Sequence, residues 1–254
     1  MRNGSARPLA GRALRLGIMQ PYFFPYIGYF ALTAAADEWV VFDVTQYTRK
    51  SWINRNRVLH PVSGWNYITA AVAHAPRDAL TRDVRVLDVA ATRASLLGKI
   101  AHYRRAAPFF NDVVALIDEV FDAPRNDSIV ELNMRAMRAV CARLGIDRPT
   151  LVASEIDLDW SSVTHAGGWA LLIAIHLGAT GYVNPVGGKA LFRPEEFAAA
   201  GIALEFLQMP EVTYGTDGFE FVPSLSILDV LMWNAPDTVA EMLTRASITP
   251  AGSP

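Results

Sequence analysis

The first group of residues suited to binding chemistry lies in the segment 17–30, where aromatic residues, two prolines and two glycines surround Gln20. Tyr22 and Tyr26 offer ring faces to a ligand, and the amide of Gln20 can position a carbonyl oxygen. The segment directly follows a short apolar stretch. A rigid turn with aromatic walls at the end of a strand is a place where an α/β protein binds a ligand.

A second group lies between residues 43 and 57, where four cations and two asparagines are mixed with aromatic residues. Arginine holds carboxylates and phosphates through paired hydrogen bonds, asparagine recognises amides and hydroxyls, and rings provide a floor for a substrate. The candidates in this group are Asp43, Gln46, Tyr47, Trp52, Asn54, Arg55, Asn56 and Arg57. The alternative is a solvated basic loop in which Arg55 and Asp43 pair for structural reasons alone.

Two later groups are further candidates for substrate binding. They consist of Asn184, Gly187, Gly188 and Lys189, and of Ser226 and Asp229. The glycines let backbone N–H groups approach a ligand, and Lys189 offers a positive charge to an anion. A tight turn before a helix explains the first group equally well. Ser226 alternatively caps a helix, with Asp229 one turn further on.

The glycine-rich run at 187–189 is not a phosphate-binding loop. Val183 stands where the first glycine of such a loop is required, and Ala190 replaces the serine or threonine that holds the metal. The sequence also contains no G-x-G-x-x-G fingerprint and no paired cysteines for zinc. We therefore predict no metal site, and the sequence identifies no cofactor.

Apolar periodicity and turn residues predict the elements that position these side chains. Predicted strands span 14–19, 39–42, 65–72, 84–89, 150–156, 181–184 and 202–207, and 45–57 is predicted as a polar loop. Predicted helices span 29–36, 92–105, 128–144, 164–177, 194–200 and 227–233, with another starting at Pro236. We expect an α/β fold with a mixed, mostly parallel central sheet, helices on both sides and additional C-terminal helices. The candidate groups should meet at the carboxyl ends of the strands.

Composition sets the broad class of protein. The 254 residues are 52% apolar with a net charge of -2 and a pI near 6.2, which favours one α/β domain and no nucleic-acid partner. Cys141 is the single cysteine, which fits a reducing cytoplasm, and no apolar run is long enough for a membrane span. We predict a disordered leader at 1–15, one domain at 16–246 and a tail at 247–254. The expected partner is a small-molecule or sugar substrate, free or carrier-bound, and a homo-oligomer is compatible with the sequence.

Taken in order, these motifs resemble the WbqC-like family of bacterial proteins from Gly17 to about Leu243. The family pattern opens with histidine or methionine, then Gln-Pro, a turn with tyrosine and proline, and Gly-Tyr/Phe-Phe, which corresponds to residues 19–30. An aspartate at a strand end, a Gln-Tyr/Phe step and an Asn-Arg-Asn-Arg stretch follow, here Asp43, 46–47 and 54–57. Later matches are 103–109, 154–155, 182–188 and 223–229.

The resemblance implies a role in O-antigen, capsule or specialised-metabolite biosynthesis, and an aminoacyl (glycine-type) transferase role has been proposed for some members. Two positions depart from the family pattern. Met19 replaces the histidine of many relatives, so the opening turn has no titratable group there. Val44 replaces a frequent second aspartate, which weakens a two-carboxylate metal site.

We expect a transferase that joins an amino acid or acyl group to an amine or hydroxyl, forming an amide or ester. Asp43 would act as base or orient the attacking amine, Gln20 with Tyr22 would position a carbonyl oxygen, and Arg55 and its neighbours would hold an anionic end. No nucleophile–base pair is visible, but direct attack needs only positioning, a base and oxyanion donors. The alternatives are a nucleotide-dependent ligase or nucleotidyl-transfer enzyme, and a non-catalytic binding protein in a biosynthetic assembly.

Overall fold

The computed structural model describes residues 13–122 and 127–252. A six-stranded sheet is accompanied by a separate two-stranded hairpin. The strands in chain order are β1 (Arg15–Met19), β2 (Glu38–Val41), β3 (Arg55–Leu59), β4 (Trp65–Thr69), β5 (Thr150–Val152), β6 (Gly181–Pro185), β7 (Ala203–Gln208) and β8 (Ser247–Pro250). The hairpin consists of β3 and β4, and the other strands form the large sheet.

Across the large sheet the strand order is β5-β2-β1-β6-β7-β8. All neighbours run parallel except β7 and β8, which are antiparallel. The chain therefore builds outward from β1 to one side through β2 and β5, and then returns to β1's other side at β6. This reversal between β1 and β6 is a topological switch point, where open α/β sheets bind ligands at the carboxyl ends of the strands.

Each face of the sheet is covered by helices. These are α1 (Ile27–Ala35), α2 (Val89–Ile100), α3 (Phe110–Phe121), α4 (Ile129–Arg143), α5 (Gly168–His176), α6 (Pro194–Ala199), α7 (Ile227–Trp233) and α8 (Pro236–Leu243). Helices α5 and α6 pack on one face, and the remaining helices contribute to a larger core on the other. The predicted class, a mostly parallel sheet between helices with additional C-terminal helices, is confirmed.

The alternation of side chains along β1 and β2 assigns residues to the two cores. Trp39 and Val41 belong to the core that contains α1, whereas Leu16 and Val40 belong to the core that contains α5. Gly17 is required at its position, since an added Cβ would lie 2.7 Å from the Trp39 ring. The central strands therefore have buried residues on both faces, as parallel strands between helical layers do.

The predicted strand at 84–89 is wrong. With residues 71–73 the segment exchanges one pair of hydrogen bonds, from Leu87 N–H to the Ala71 carbonyl and from Ala73 N–H to the Arg85 carbonyl. With residues 127–129 it exchanges a second pair, from Val86 N–H to the Asp127 carbonyl and from Ile129 N–H to the Val84 carbonyl. Only isolated bridges result, Val72 with Val86 and Arg85 with Ser128. Val84 and Val86 are buried in the core, but neither neighbouring segment pairs with residues 84–89 over enough residues to form a ladder.

Three further segments differ from the sequence-based expectation. The predicted loop 45–57 ends in strand β3, so Arg55 and Arg57 lie on a strand. Helix α3 was not predicted, although its apolar residues recur at helical spacing. Residues Ser247–Pro250, predicted as a tail, form edge strand β8 beside β7.

The predicted leader lies largely outside the described residues, which begin at 13, and its last residue, Arg15, starts β1. In the described part of the chain, no helix combines the length and apolarity needed to cross a membrane.

Candidate functional site

A cavity of about 440 Å³ opens at the carboxyl ends of β1 and β6, at the switch point of the sheet. We call it the switch-point cavity. It is lined by Ile18, Met19, Gln20, Tyr22, Phe42, Thr45, Ala166, Trp169, Ala170, Tyr182, Asn184, Pro185, Gly187, Gly188, Leu191 and Phe192. Its size and mixed aromatic and polar lining suit a small organic ligand.

One wall of the cavity is the turn that follows β1. The Gln20 side-chain amide donates to the Thr45 hydroxyl at 2.8 Å, which fixes the side chain against the segment after β2. The Gln20 backbone carbonyl accepts a 2.8 Å hydrogen bond from the Tyr29 hydroxyl. Tyr22 packs on Tyr29 with ring centroids 5.8 Å apart. The wall is thus held by hydrogen bonds and ring contacts from α1 and from the end of β2.

The opposite wall comes from the end of β6. The Tyr182 hydroxyl donates to Asn184 Oδ1 at 2.8 Å, and Asn184 Nδ2 donates to the Pro185 carbonyl at 3.0 Å. A Cβ on Gly188 would lie 2.3 Å from Asn184 Nδ2, whereas a Cβ on Gly187 would meet nothing within 4 Å. Glycine at 188 therefore makes room for the Asn184 amide, which carries both hydrogen bonds at the cavity edge.

Aromatic side chains close the remaining sides of the cavity. Phe42, directly after β2, meets Trp169 of α5 edge to face at 5.7 Å, and Trp169 stacks on Trp160 at 5.4 Å. Phe192 meets Tyr182 at 5.5 Å. Burial raises the pKa of Tyr182 well above its usual value, so this hydroxyl is a neutral hydrogen-bond donor.

Among the residues that the structure describes, none that lines the switch-point cavity is Asp, Glu, Lys, Arg or His. Its polar groups are amides, hydroxyls and the backbone of the glycine pair. Such a site recognises a ligand by stacking, shape and neutral hydrogen bonds rather than by ion pairing. Among the predicted site residues, the structure brings Gln20, Tyr22, Asn184, Gly187 and Gly188 together here.

Asp43 lies between lining residues Phe42 and Thr45 in the chain, but it is not part of the lining. The residue is 2% exposed. One carboxylate oxygen accepts the Ser154 N–H at 2.9 Å, and the other accepts the Ser154 hydroxyl at 2.6 Å. These bonds connect the end of β2 to the residues after β5 and fix the orientation of the carboxylate.

Two predicted substrate-binding residues support the turn instead. Asn56 Nδ2 donates to the carbonyls of Phe23 and Phe24, at 3.1 and 2.9 Å. The Ser226 hydroxyl donates to the same Phe24 carbonyl at 2.7 Å. Phe24 has a φ of 42°, a conformation that non-glycine residues rarely adopt, so it depends on such external support.

Asn133 completes this set and was not identified from the sequence. Its Nδ2 atom, on α4, donates to the carbonyls of Pro21 and Ile53, both at 2.8 Å. We call Asn56, Asn133 and Ser226 the carbonyl clamp, since all three side chains bind backbone carbonyls of residues 21–24. An asparagine on the buried side of an apolar helix is the sequence signal that could have revealed Asn133.

The remaining uncharged candidates contact other parts of the protein. Gln46 donates its side-chain amide to the Arg77 carbonyl at 2.7 Å, and Asn54 donates to the Ala70 carbonyl at 3.1 Å. Tyr47 is buried, and burial raises its pKa. Tyr26 forms an isolated bridge with Ser226. None of the four candidates lines the switch-point cavity.

The charged candidates are also separate from the switch-point cavity. Arg55 and Arg57 lie on the hairpin beside aromatic rings, together with Trp52. Lys189 lies 5.9 Å from the ring centre of Phe206 and is absent from the lining. The expected meeting of all candidate groups at one edge therefore occurs only for part of the set.

Asp229 belongs to a buried network behind the hairpin. Its carboxylate accepts hydrogen bonds from the Tyr103 and Tyr214 hydroxyls, and the Tyr103 hydroxyl also accepts the Leu59 N–H at 2.7 Å. Burial raises the pKa of Asp229 and outweighs the opposing effect of these hydrogen bonds. The network joins α7 to β3 and lies outside the lining of the switch-point cavity.

The lining residues that the sequence did not single out are mainly aromatic. Phe42, Trp169 and Phe192 were assigned to a strand, a helix and a segment before a helix, without a binding role. Thr45 is a lone threonine in a predicted polar loop, which gives no signal for a binding role. Their positions at element ends became informative only once the strand order was known.

Comparison with known proteins gives three findings. The uncharacterized protein Rv1507c of Mycobacterium tuberculosis is 26% identical over 231 residues, which covers 85% of this chain and 92% of the relative. No solved structure gives a significant match. The family model of the WbqC-like protein family matches residues 20–241, from Gln20 of the cavity wall to the last turns of α8. This chain therefore belongs to the WbqC-like protein family.

Proposed function

We propose that the protein is a small-molecule transferase that moves an aminoacyl or acyl group from an acyl carrier to an amine or hydroxyl of a sugar or metabolite. The bond to the carrier breaks as the amide or ester forms, and the carrier is released. The switch-point cavity would hold the uncharged, ring-containing part of the substrate. The observation that carries the proposal is the composition of the cavity lining: aromatic rings, two amides and the glycine pair, with no charged side chain. A sugar offers the faces of its saturated ring for packing against aromatic side chains, and its hydroxyls can hydrogen-bond to the amides of the lining.

In this proposal, Gln20 and Asn184 hydrogen-bond the substrate from opposite walls. Both amides are already oriented by neighbours, Gln20 by Thr45 and Asn184 by Tyr182, so little freedom is lost when a ligand binds. Because the lining has no base, a proton acceptor would come from the edge. Asp43 is our candidate, since it lies next to Phe42 in the chain and its carboxylate is held in place.

The binding half of the proposal is tested by thermal shift and by intrinsic tryptophan fluorescence, since Trp169 lines the cavity. The ligands tested are nucleotide sugars, amino sugars, amino acids and acyl carriers. We expect a sugar-containing compound to raise the melting temperature. Gln20→Leu and Asn184→Leu should each weaken that ligand by about tenfold, since each removes a hydrogen bond in a desolvated site. Gln208→Leu, an exposed position on β7, is the matched control and should bind normally.

The catalytic half is tested with the ligand so identified. Asp43→Asn should bind it as the wild type does and lose turnover by about a hundredfold or more, as expected for removal of a general base. Arg55→Ala separately tests the prediction that Arg55 holds an anionic end. Wild-type turnover by Asp43→Asn would contradict the role of Asp43, and binding without any transfer would favour a non-catalytic binding protein.

A nucleotide-dependent ligase or nucleotidyl-transfer enzyme is the second candidate. The observation favouring it is the strand order, which counted within the large sheet alone is 3-2-1-4-5-6, the order of nucleotide-binding doubly wound folds. The turn at Gln20 lacks the glycines of that fingerprint, so a different phosphate contact would be needed. A thermal shift with nucleoside triphosphates, larger than with any sugar, would favour this candidate over the transferase.

A further inference from the structure

The outward side of the β3–β4 hairpin is a surface separate from the switch-point cavity. Alternation along the two strands buries Asn56, Val58 and Ile68 on the inner side. The outer side carries a set of arginine and aromatic side chains that we call the basic face. It consists of Arg55, Arg57, Trp65 and Tyr67 of the hairpin, together with Trp52 just before it.

The arginines of the basic face lie on aromatic rings. The Arg55 guanidinium is 4.1 Å from the ring centre of Tyr67. The Arg57 guanidinium is 5.2 Å from the ring centre of Trp65 and 5.5 Å from that of Trp52. Stacking holds each guanidinium in place and leaves the N–H groups of Arg55 available for a planar anion. Arg57 offers fewer N–H groups, because its Nε atom is buried and its Nη2 atom donates to the Ser224 carbonyl. The two tryptophans remain 41% and 39% exposed, large fractions for such apolar side chains.

The charge around the basic face is one-sided. From Val44 to Arg77 the sequence contains five Lys or Arg residues and no Asp or Glu, although the whole chain has a net charge of -2. In the part of the chain that the structure describes, neither Arg55 nor Arg57 forms an ion pair. Paired arginines such as Arg15 and Arg93 lie elsewhere. The basic face therefore lacks an internal counter-charge.

We propose that the basic face docks an acidic segment of a partner protein. Carboxylates of that segment bind the guanidinium edges of Arg55 and Arg57, and its apolar side chains pack on Trp52 and Trp65. Arginine, tryptophan and tyrosine are the residue types that dominate binding energy at protein interfaces. A single-stranded nucleic acid fits less well, because the guanidinium groups occupy ring faces on which bases would stack.

The test is fluorescence anisotropy with the full chain and three labelled probes. The probes are a short peptide of alternating glutamate and leucine, the same peptide with glutamine in place of glutamate, and an oligothymidine of similar length. The acidic peptide should bind about tenfold or more tightly than the other two, and added salt should weaken it. Preference for the oligothymidine, or equal binding of both peptides, would overturn the proposal.

Matched variants separate this surface from general charge attraction. R55Q/R57Q should lower the affinity for the acidic peptide by about tenfold. R49Q/K50Q removes the same charge from the preceding turn and should lower this affinity by about threefold or less. R57K keeps the charge but replaces the planar guanidinium, which stacks on the tryptophan rings, with an ammonium group. It should therefore still lower the affinity for the peptide measurably. Equal effects of the two double variants would also overturn the proposal.

A structural role of Arg57 is controlled separately. Its Nη2 atom donates to the Ser224 carbonyl at 3.2 Å, so its replacement affects packing as well as docking. Arg55 makes no such bond in the described structure, and R55Q alone should weaken the acidic peptide by about threefold or more with an unchanged melting temperature. An R55Q protein that melts as the wild type does and binds the peptide equally well would contradict the proposal.

Discussion

The switch-point cavity and the basic face flank the same turn but differ in chemistry and in support. The cavity is uncharged, and its walls are fixed by hydrogen bonds from several elements. The basic face carries unpaired arginines that only rings and a single carbonyl hold in place. A site whose polar groups are oriented in advance selects a ligand by shape, whereas exposed charges on rings attract a partner at longer range. In our proposals, this difference separates recognition of a small ligand from recognition of a protein surface.

The largest effect is expected where the support of the cavity is removed. Asn133→Ala would leave the buried carbonyls of Pro21 and Ile53 without donors, which should lower the free energy of unfolding by about 2–4 kcal/mol. Urea unfolding measures this change. Asn66→Ala, the same replacement at a half-buried hairpin position, should change it by less than about 0.5 kcal/mol. Equal losses would show that the two regions do not differ in support.

The glycine pair offers a finer test within the cavity. Gly188→Ala places a Cβ against Asn184 Nδ2 and should destabilise the protein by about 1–2 kcal/mol, because the amide must move from its hydrogen bonds. Gly187→Ala adds a methyl group in open space and should stay within about 0.5 kcal/mol of the wild type. Thermal unfolding of both variants gives the comparison, and a reversed order would contradict the role given to Asn184.

The pH dependence of stability tests the network behind the basic face. Burial raises the pKa of Asp229 above 3.8, so the folded state binds this proton more tightly than the unfolded state. Its contribution is therefore fully present below the unfolded pKa and is lost as the pH rises through the raised folded pKa. Asp229→Asn should remove this loss. The free energy of unfolding of the variant should therefore rise relative to that of the wild type as the pH increases from acid to neutral. A difference that does not change with pH would rule out ionisation of Asp229 as the cause.

The smallest stability change is expected on the basic face. Arg55→Gln removes a stacked cation that bonds to no acceptor in the described structure, so it should cost about 0.5 kcal/mol or less. Differential scanning calorimetry measures this change. A loss as large as that of Asn133→Ala would mean that the basic face is part of the fold's support rather than a free surface.

The sequence predicted much of the fold because most elements carry local signals. Helix α4 begins at its Ser128 cap, and β1 and β6 are short apolar runs that end in turn residues. The failed strand at 84–89 had the right alternation, but a strand needs a partner, which alternation does not reveal. Strand β3 was missed because its outward arginines gave it the composition of a loop.

The candidate site was predictable in part for a related reason. Sequence reasoning recognises chemical type, so Gln20 and Asn184 were found on opposite walls of one cavity. It does not reveal direction, and Asn56 and Ser226 point at backbone carbonyls rather than at a ligand. Phe42 and Trp169 meet only through the packing of α5 on the sheet, which depends on the whole topology.

The carbonyl clamp has a consequence for how specificity can change. Its three side chains bind backbone oxygens, which every amino acid possesses, so the clamp does not depend on the side chains of the residues it holds. Tyr22 lies within the clamped turn, lines the cavity and is only partly buried. Position 22 can therefore be replaced without dismantling the turn. The fold therefore separates a fixed backbone frame from a side chain that can vary, and single substitutions at position 22 can change the lining of the cavity.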